Sequence, residues 1–253
     1  MIIQELLTNL YSDISPYSTC EDKYIDDGYP HTNILPDLLQ VIFTNIEPNY
    51  IVECGSMLGG SAIKMAQVLR DNNKQTEIVC IDPFTGDVNM WDWEKQGGTG
   101  SGGWKFLRLE NGIPTIYKRF LANCKNNGFE NLIFPINCTT SVGVKLLQRL
   151  FSQKRISSLP NYIYLDSAHE ENETFVELTL CWNCLPSKGI LFGDDWSWES
   201  VRNDVIKFSN TIKEATDYRT LMKINKLMNG SEIINENILL YNGQWLLFKD
   251  LRV

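Results

Sequence analysis

The sequence contains no run of 18 apolar residues and so offers no segment able to span a bilayer as a helix. Basic residues are outnumbered, 23 against 31 acidic, and the net charge of −8 disfavours a protein that grips nucleic acid through a basic surface. Histidine is scarce: only His31 and His169 occur. That weighs against a non-haem iron oxygenase, whose centre takes two histidines and one carboxylate. The seven cysteines are odd in number, and Cys54, Cys80 and Cys138 sit in apolar segments, which excludes a disulfide framework and points to reduced thiols in the cytoplasm. Cys181-Trp182-Asn183-Cys184 has the spacing of half a zinc site but no second pair, and reads as core packing. The opening Met1–Glu5 lacks the layout of a secretory signal, in keeping with a cytoplasmic location. What the chain has is 43% apolar residues over 253 positions, enough to fill the core of one ordinary domain.

The first 48 residues read as a helical arm or cap. Ile3 to Leu10 is amphipathic, Ser12 to Pro30 is polar and rich in turn residues, and Thr32 to Ile46 shows helical spacing (Leu35, Leu38, Leu39, Ile42, Phe43). From residue 49 to 253 the rhythm changes. Short apolar runs at Tyr50–Cys54, Glu77–Asp82, Ile133–Ile136, Tyr162–Asp166 and Gly189–Asp195 alternate with helical patterns at Ser61–Leu69, Pro114–Asn126, Val142–Phe151, Glu173–Leu185 and Ser200–Ser209. Asn237–Tyr241 and Gln244–Phe248 flank Asn242-Gly243, a strong hairpin signal. Alternation of this kind predicts an α/β fold with a mostly parallel sheet, helices on both faces and an antiparallel hairpin at the C-terminal end. Residues 87–104 interrupt the pattern with Trp91, Trp93, Trp104 and five glycines from Gly97 to Gly103, either a lid over a ligand or an anchored loop.

Open sheets of this kind bind ligands outside the carboxyl ends of their strands. Asp82, Asp166, Asp194 and Asp195 all fall there. The segment Glu53-Cys54-Gly55-Ser56-Met57-Leu58-Gly59-Gly60-Ser61 is either a ligand-cradling loop leading into a helix N-terminus or a tight turn with no ligand. Its spacing is not G-x-G-x-x-G, which weakens a nicotinamide-dinucleotide reading. Asp82 suits a ribose ligand and a cap equally well. His31, beside Pro30, reads as a surface residue.

The pattern Glu-x-Gly-x-x-x-Gly-x-Ser, from Glu53 to Ser61, resembles the glycine loop of class I S-adenosylmethionine methyltransferases, in particular their metal-dependent O-methyltransferase branch. Tyr164-Leu165-Asp166-Ser167-Ala168-His169-Glu170 and Gly193-Asp194-Asp195-Trp196 resemble the macrocin and mycinose sugar O-methyltransferases and cephalosporin-hydroxylase-like proteins. Asp82-Pro83-Phe84-Thr85-Gly86 and Gly112-Ile113-Pro114-Thr115-Ile116-Tyr117 fit the same branch, and the likeness runs from about Tyr50 to Phe208. It implies a Rossmann-like methyltransferase fold with a seven-stranded sheet, residues 49–253 forming the cofactor-binding catalytic domain. S-adenosylmethionine would be bound through Glu53, Gly55, Ser56, Gly59, Gly60, Ser61 and Asp82, with Thr139, Thr140 and Ser141 near the adenine. Asp166, Asp194 and Asp195 would hold Mg²⁺, since three carboxylates in one crevice need a cation and hard oxygens suit that ion. His169, aided by Asp166, would take the proton from an acceptor hydroxyl.

The expected acceptor is a small molecule or glycan bearing hydroxyls, with no membrane and no nucleic acid involved. A non-catalytic nucleoside-binding protein of the same fold, an oxygenase partner and a nucleic-acid methyltransferase are the competing readings. Leu6, Leu7, Leu10 and Tyr11 need a surface to cover them, and with the analogy to the sugar branch this predicts a homo-oligomer.

Overall fold

In the computed structural model, residues 1–26, 32–91, 104–167, 169–212 and 215–250 are described. His31, Ala168 and positions 92–103 fall outside them, so the surface reading of His31 and most of the lid reading of residues 87–104 concern residues that are not described.

The chain opens with α1 (Ile2–Leu10), two 3-10 turns (Pro16–Thr19 and Asp22–Tyr24) and α2 (Pro36–Asn45). There follow β1 (Ile51–Cys54), α3 (Gly60–Asp71), β2 (Ile78–Asp82), α4 (Val88–Trp91), α5 (Trp104–Leu107), α6 (Ile116–Asn126) and β3 (Ile133–Asn137). Then come α7 (Thr140–Ser152), β4 (Tyr162–Leu165), α8 (Glu173–Cys184), β5 (Ile190–Gly193) and α9 (Glu199–Ser209). The chain closes with α10 (Tyr218–Leu227), β6 (Glu232–Ile234), β7 (Ile238–Tyr241) and β8 (Gln244–Phe248).

The strands form one eight-stranded sheet in the order β3-β2-β1-β4-β5-β8-β7-β6. The first five are parallel, and β8, β7 and β6 run antiparallel beyond β5. This is the Rossmann-like α/β arrangement, with one strand more than the expected seven. The extra one, β6, spans three residues and none of them is buried, so it carries no alternation for a sequence reading to detect. Helix α2 begins at Pro36 rather than Thr32, because proline is suited to the first helical position and disfavours helix before it. Helix α10 escapes the sequence reading because only Leu221 and Ile224 are buried on it; the Asp217 carboxylate caps it by accepting from Thr220 N at 3.0 Å.

Each strand divides its side chains between the two faces with a period of two. Ile51, Ile78, Cys80, Tyr162, Tyr164 and Phe192 pack with α2, α3, α6 and α10 on one side. Val52, Cys54, Val79, Ile163, Leu165 and Leu191 pack with α1, α7, α8 and α9 on the other. Cys181 and Cys184 are free and buried on α8, within the second layer.

The first 48 residues are built into both layers. Ile2, Ile3 and Leu6 are buried under the second layer, while Tyr17 and the apolar positions of α2 join the first. Between them the chain passes around the open edge of β3. There Tyr11 and Tyr17 donate their hydroxyls to the carbonyls of Pro135 (2.9 Å) and Ile133 (2.8 Å), which blunts an edge that would otherwise invite another strand. Leu7, Leu10 and Tyr11 pack partly buried against the second layer. The expectation of a homo-oligomer draws on these side chains and on the analogy to the sugar branch; the side chains find a cover on the chain's own sheet, and the analogy is a separate ground.

The chain runs outward from β1 through β2 to β3, then returns to place β4 on the other side of β1. That reversal opens a crevice at the carboxyl ends of β1 and β4.

Candidate active site

A cavity of about 900 Å³ lies at this crevice. Its floor is the loop after β1. Gly55 has φ +86°, and its amide donates to Ile81 O at 3.0 Å while Asp166 N donates to Cys54 O at 2.9 Å. The ends of β1 and β4 are thereby drawn so close that a Cβ on Gly55 would lie 2.0 Å from the Asp166 carbonyl oxygen. Only glycine fits. The loop turns into α3, whose first residues Gly60 and Ser61 line the cavity and bring a helix N-terminus to it.

Asp82 braces this loop. One carboxylate oxygen accepts from Ser56 N and Met57 N, each at 2.8 Å, and the other from Phe84 N. Burial pushes its pKa up while these amides pull it down. Asp82 also lines the cavity, and the bonds it makes there are those of a loop brace.

Glu53 lies beneath the loop with no exposed surface and does not reach the cavity. It accepts from the Ser61 hydroxyl and from Cys80 Sγ (3.3 Å), and burial lifts its pKa from 4.5 to about 7. A folded-state value above the unfolded one means that the native chain binds the extra proton between pH 4.5 and 7. The stability this contributes is complete below pH 4.5 and is lost as pH rises through 7. Urea midpoints at pH 5 and pH 8 should therefore diverge more for the native sequence than for Glu53→Gln, which cannot ionise. Equal divergence in the two proteins would assign the pH dependence elsewhere.

Thr139, Thr140 and Ser141 line the cavity where β3 gives way to α7. Beside them the end of β4 presents Asp166, and three residues on stands His169. The imidazole Nε2 lies 2.8 Å from Asp195 Oδ2, and Nδ1 faces Asp87 Oδ2 at 3.4 Å, an ion-pair distance without hydrogen-bond alignment. Trp198 lies against the ring at 4.9 Å, and the Ser200 hydroxyl donates to the His169 carbonyl. Burial pulls the imidazole pKa down, but Asp195, Asp87 and Asp166 outweigh it and lift the value to about 10. Asp87 in turn is held below the ordinary carboxylate range by His169. Asp166, bonded by the Tyr164 hydroxyl at 3.3 Å, is pushed well up by burial and by Asp195 and Asp194 nearby.

Among the described residues, the metal-capable atoms that approach one another within 4.8 Å belong to Asp166, His169 and Asp195. Asp194 is not in that group. Its carboxylate turns back to accept from Asp195 N at 2.8 Å, and its carbonyl accepts from the buried Trp245 indole at 2.9 Å. Asp195 adopts φ +61°, a left-handed conformation that sends its carboxylate toward His169 instead. Of the residues expected to bind a cofactor, Gly55, Ser56, Gly60, Ser61, Asp82, Thr139, Thr140 and Ser141 line the one cavity, together with Asp166 and His169. Gly59, at φ +88°, caps α3, with Phe120 and Cys124 as its neighbours.

Sequence reading missed Asp87, Trp198 and Glu177. Asp87 sits in the aperiodic insert, Trp198 follows the Asp-Asp pair, and Glu177 is an acidic position of a helix, where a solvated face is the ordinary expectation. Glu177 instead lines the cavity and accepts from the Ser167 hydroxyl at 2.7 Å. Nothing in its spacing marks it.

No curated protein sequence matches the chain. Among solved structures it is similar to the SAH-bound methyltransferase PaMTH1 of Podospora anserina, at 13% identity over 89% of this chain and 83% of that one, with a TM-score of 0.50. It is also similar to the O-methyltransferase TomG of Streptomyces achromogenes, involved in tomaymycin synthesis and solved in complex with SAM, at 10% identity over 98% and 89% of the two chains, with a TM-score of 0.48. A family model described as a methyltransferase domain matches residues 52–196, from β1 through the Asp194-Asp195 turn. That match takes in the glycine loop, the Asp82 brace and the Asp166/His169/Asp195 cluster, and the chain belongs to this methyltransferase family.

Proposed function

We propose that the protein is an S-adenosylmethionine-dependent O-methyltransferase acting on a hydroxyl of a sugar or other polyhydroxylated small molecule, with Mg²⁺ held by Asp166 and Asp195. The observation that carries this reading is the meeting of two features at one cavity: the glycine loop with its helix N-terminus, and Asp166 and His169, which line the same cavity and form a cluster with Asp195. The cavity lies near the upper end of the usual range for small-ligand sites, in keeping with a nucleoside cofactor and a small acceptor held together.

The residues fit the ion. Two carboxylates and an imidazole converge, and Asp166 is half-buried among like charges that a divalent cation would relieve. Bound there, Mg²⁺ would lower the pKa of an acceptor hydroxyl and orient it. The chain does the rest. The β1 loop and the N-terminus of α3 hold the cofactor, and Asp82 keeps the loop in shape. Methyl transfer is an in-line displacement: the acceptor oxygen bonds to the methyl carbon, the carbon–sulfur bond breaks, and S-adenosylhomocysteine leaves. Alignment of the two reactants and exclusion of water are the main contributions of the protein. His169 is the group placed to take the acceptor's proton. With its pKa near 10 the imidazole keeps its own proton at neutral pH, so the base role requires a cation to share the carboxylates that now hold it charged.

Titration calorimetry with S-adenosylhomocysteine tests the cofactor half of the proposal. One site per chain is expected, weakened in Asp82→Ala because the glycine loop loses the two backbone hydrogen bonds that brace it, from Ser56 N and Met57 N. No heat at millimolar ligand would overturn it.

A further inference from the structure

Asn123 and Arg119 stand one turn apart on α6, and each reaches a different part of the cavity wall. Asn123 has no exposed surface. Its Nδ2 donates to Leu58 O at 3.0 Å, and its Oδ1 accepts from Asp26 N at 2.9 Å. Arg119, also buried, donates through Nη1 to Phe106 O and pairs through Nη2 with the buried Asp26 carboxylate. Leu58 and Phe106 both line the cavity. One residue of the N-terminal arm is thus gripped, by backbone and by side chain, by the same two residues that α6 extends to the cavity wall.

The contact with Leu58 fixes the peptide that leads into α3. The carbonyl of this peptide is held by Asn123, and its amide, that of Gly59, donates to Ser56 O at 2.7 Å. Gly59 is left-handed at φ +88°, and a Cβ there would lie 3.2 Å from Cys124 Sγ and 3.3 Å from Phe120, so α6 packs directly against the turn. A peptide pinned on both sides sets the direction in which the first turn of α3 presents its amides, which have no partner within the helix. The Asn123 amide must also face the right way. Asp26 N can only donate and Leu58 O can only accept, so Asp26 holds the carboxamide oxygen on its own side and leaves the nitrogen for Leu58. Asp26 is kept in place in turn, because its departure would strand the buried Arg119 guanidinium without its counter-charge.

We infer, on the S-adenosylmethionine reading above, that the N-terminal arm completes the cofactor site: Asp26, acting through Asn123 and Arg119, positions the Leu58–Gly59 peptide and the Phe106 wall for the ligand. None of the three lines the cavity. They are positioning residues, and the arm is a working part of the site rather than a cover over the sheet alone.

The test is titration calorimetry with S-adenosylhomocysteine beside urea denaturation, on the native protein, Asn123→Leu, Asp26→Ala and the double variant. Asn123→Leu keeps the volume but neither bond, and should weaken binding by about 10-fold or more, the scale of one or two buried hydrogen bonds. Asp26→Ala should weaken it as well, although the altered residue belongs to the arm. The double variant should lose no more affinity than the worse of the two single variants, because both act on one peptide. If Asp26→Ala does not fold with Arg119 left charged and buried, Asp26→Asn combined with Arg119→Met removes both charges and takes its place.

Lower urea midpoints with a native dissociation constant in every variant would make these residues supports of the fold, and would overturn the inference while leaving the cofactor reading intact. Affinity losses that multiply in the double variant would also overturn it, since the arm and α6 would then act separately. Failure of the native protein to bind the ligand would overturn the cofactor reading and this inference with it.

Discussion

Treatment with EDTA is expected to abolish methyl transfer to a polyhydroxylated acceptor while leaving S-adenosylhomocysteine binding largely intact. The separation follows from the layout of the cavity. The cofactor side is built from backbone amides, a helix N-terminus and hydroxyls, none of which needs a metal. The acceptor side is built from Asp166 and Asp195, whose charges crowd a partly buried site with His169 between them. Asp195→Asn should reproduce chelation, because it removes one of the two carboxylates while asparagine tolerates the left-handed backbone at φ +61°. His169→Gln keeps much of the side-chain volume and a polar group but removes the proton acceptor, and should lower turnover by about 10²- to 10⁴-fold with cofactor binding preserved. Transfer at full rate in the presence of EDTA would show that the carboxylates serve structure. Full activity in His169→Gln would hand the proton to another group.

Gly55→Ala should be the most damaging single methyl group that can be added to the site. Its Cβ would lie 2.0 Å from the Asp166 carbonyl oxygen and 2.7 Å from Ser167 Cα, backbone atoms just past the parallel ladder between β1 and β4, which the bond from Asp166 N to Cys54 O extends. Relief requires the strand ends to part, which displaces the cofactor loop and the residue that leads the acceptor cluster together. Overpacking of about 1–3 kcal/mol adds to a left-handed penalty of about 1–2 kcal/mol, and cofactor affinity should fall by more than about 100-fold. Gly112→Ala separates the two causes. Gly112 has nearly the same φ, +81°, but nothing lies within 4 Å of its Cβ position, so that variant should show the backbone penalty alone. Urea denaturation and calorimetry on the pair provide the comparison. Similar losses in both variants would mean that close approach of β1 to β4 does not matter.

Much of the site was legible because its residues sit where local pattern changes. Gly55, Asp82, Thr139 and Asp166 each end a short apolar run, and strand ends on one edge of a parallel sheet converge whatever lies between them. Asp194 and Asp195 were not separable in this way. Adjacent residues at a strand end diverge, and only the left-handed turn at Asp195 decides which carboxylate meets His169. Glu177 was hidden for a different reason: a glutamate on a helix has the same sequence signature whether it faces water or a cavity wall. Asp87 lay within a segment without periodicity, and its partnership with His169 spans 82 positions that no local rule connects.

By itself, the sequence determined the alternation of strands and helices, the parallel core of the sheet, the Asn242-Gly243 hairpin and the identity of the glycine loop. These depend on spacing, turn chemistry and burial periodicity, which are local properties. The tertiary structure decided what depends on contact between distant segments. It wrapped the first 48 residues around the β3 edge, where Tyr11 and Tyr17 find carbonyls to bond and α1 finds its cover within the chain. It turned Asp82 into the brace of a loop 25 residues before it. It also chose Asp195 over Asp194 and set Glu177 beside Ser167, because the direction of a side chain is fixed by the backbone angle and the packing around it, and neither is written in residue type.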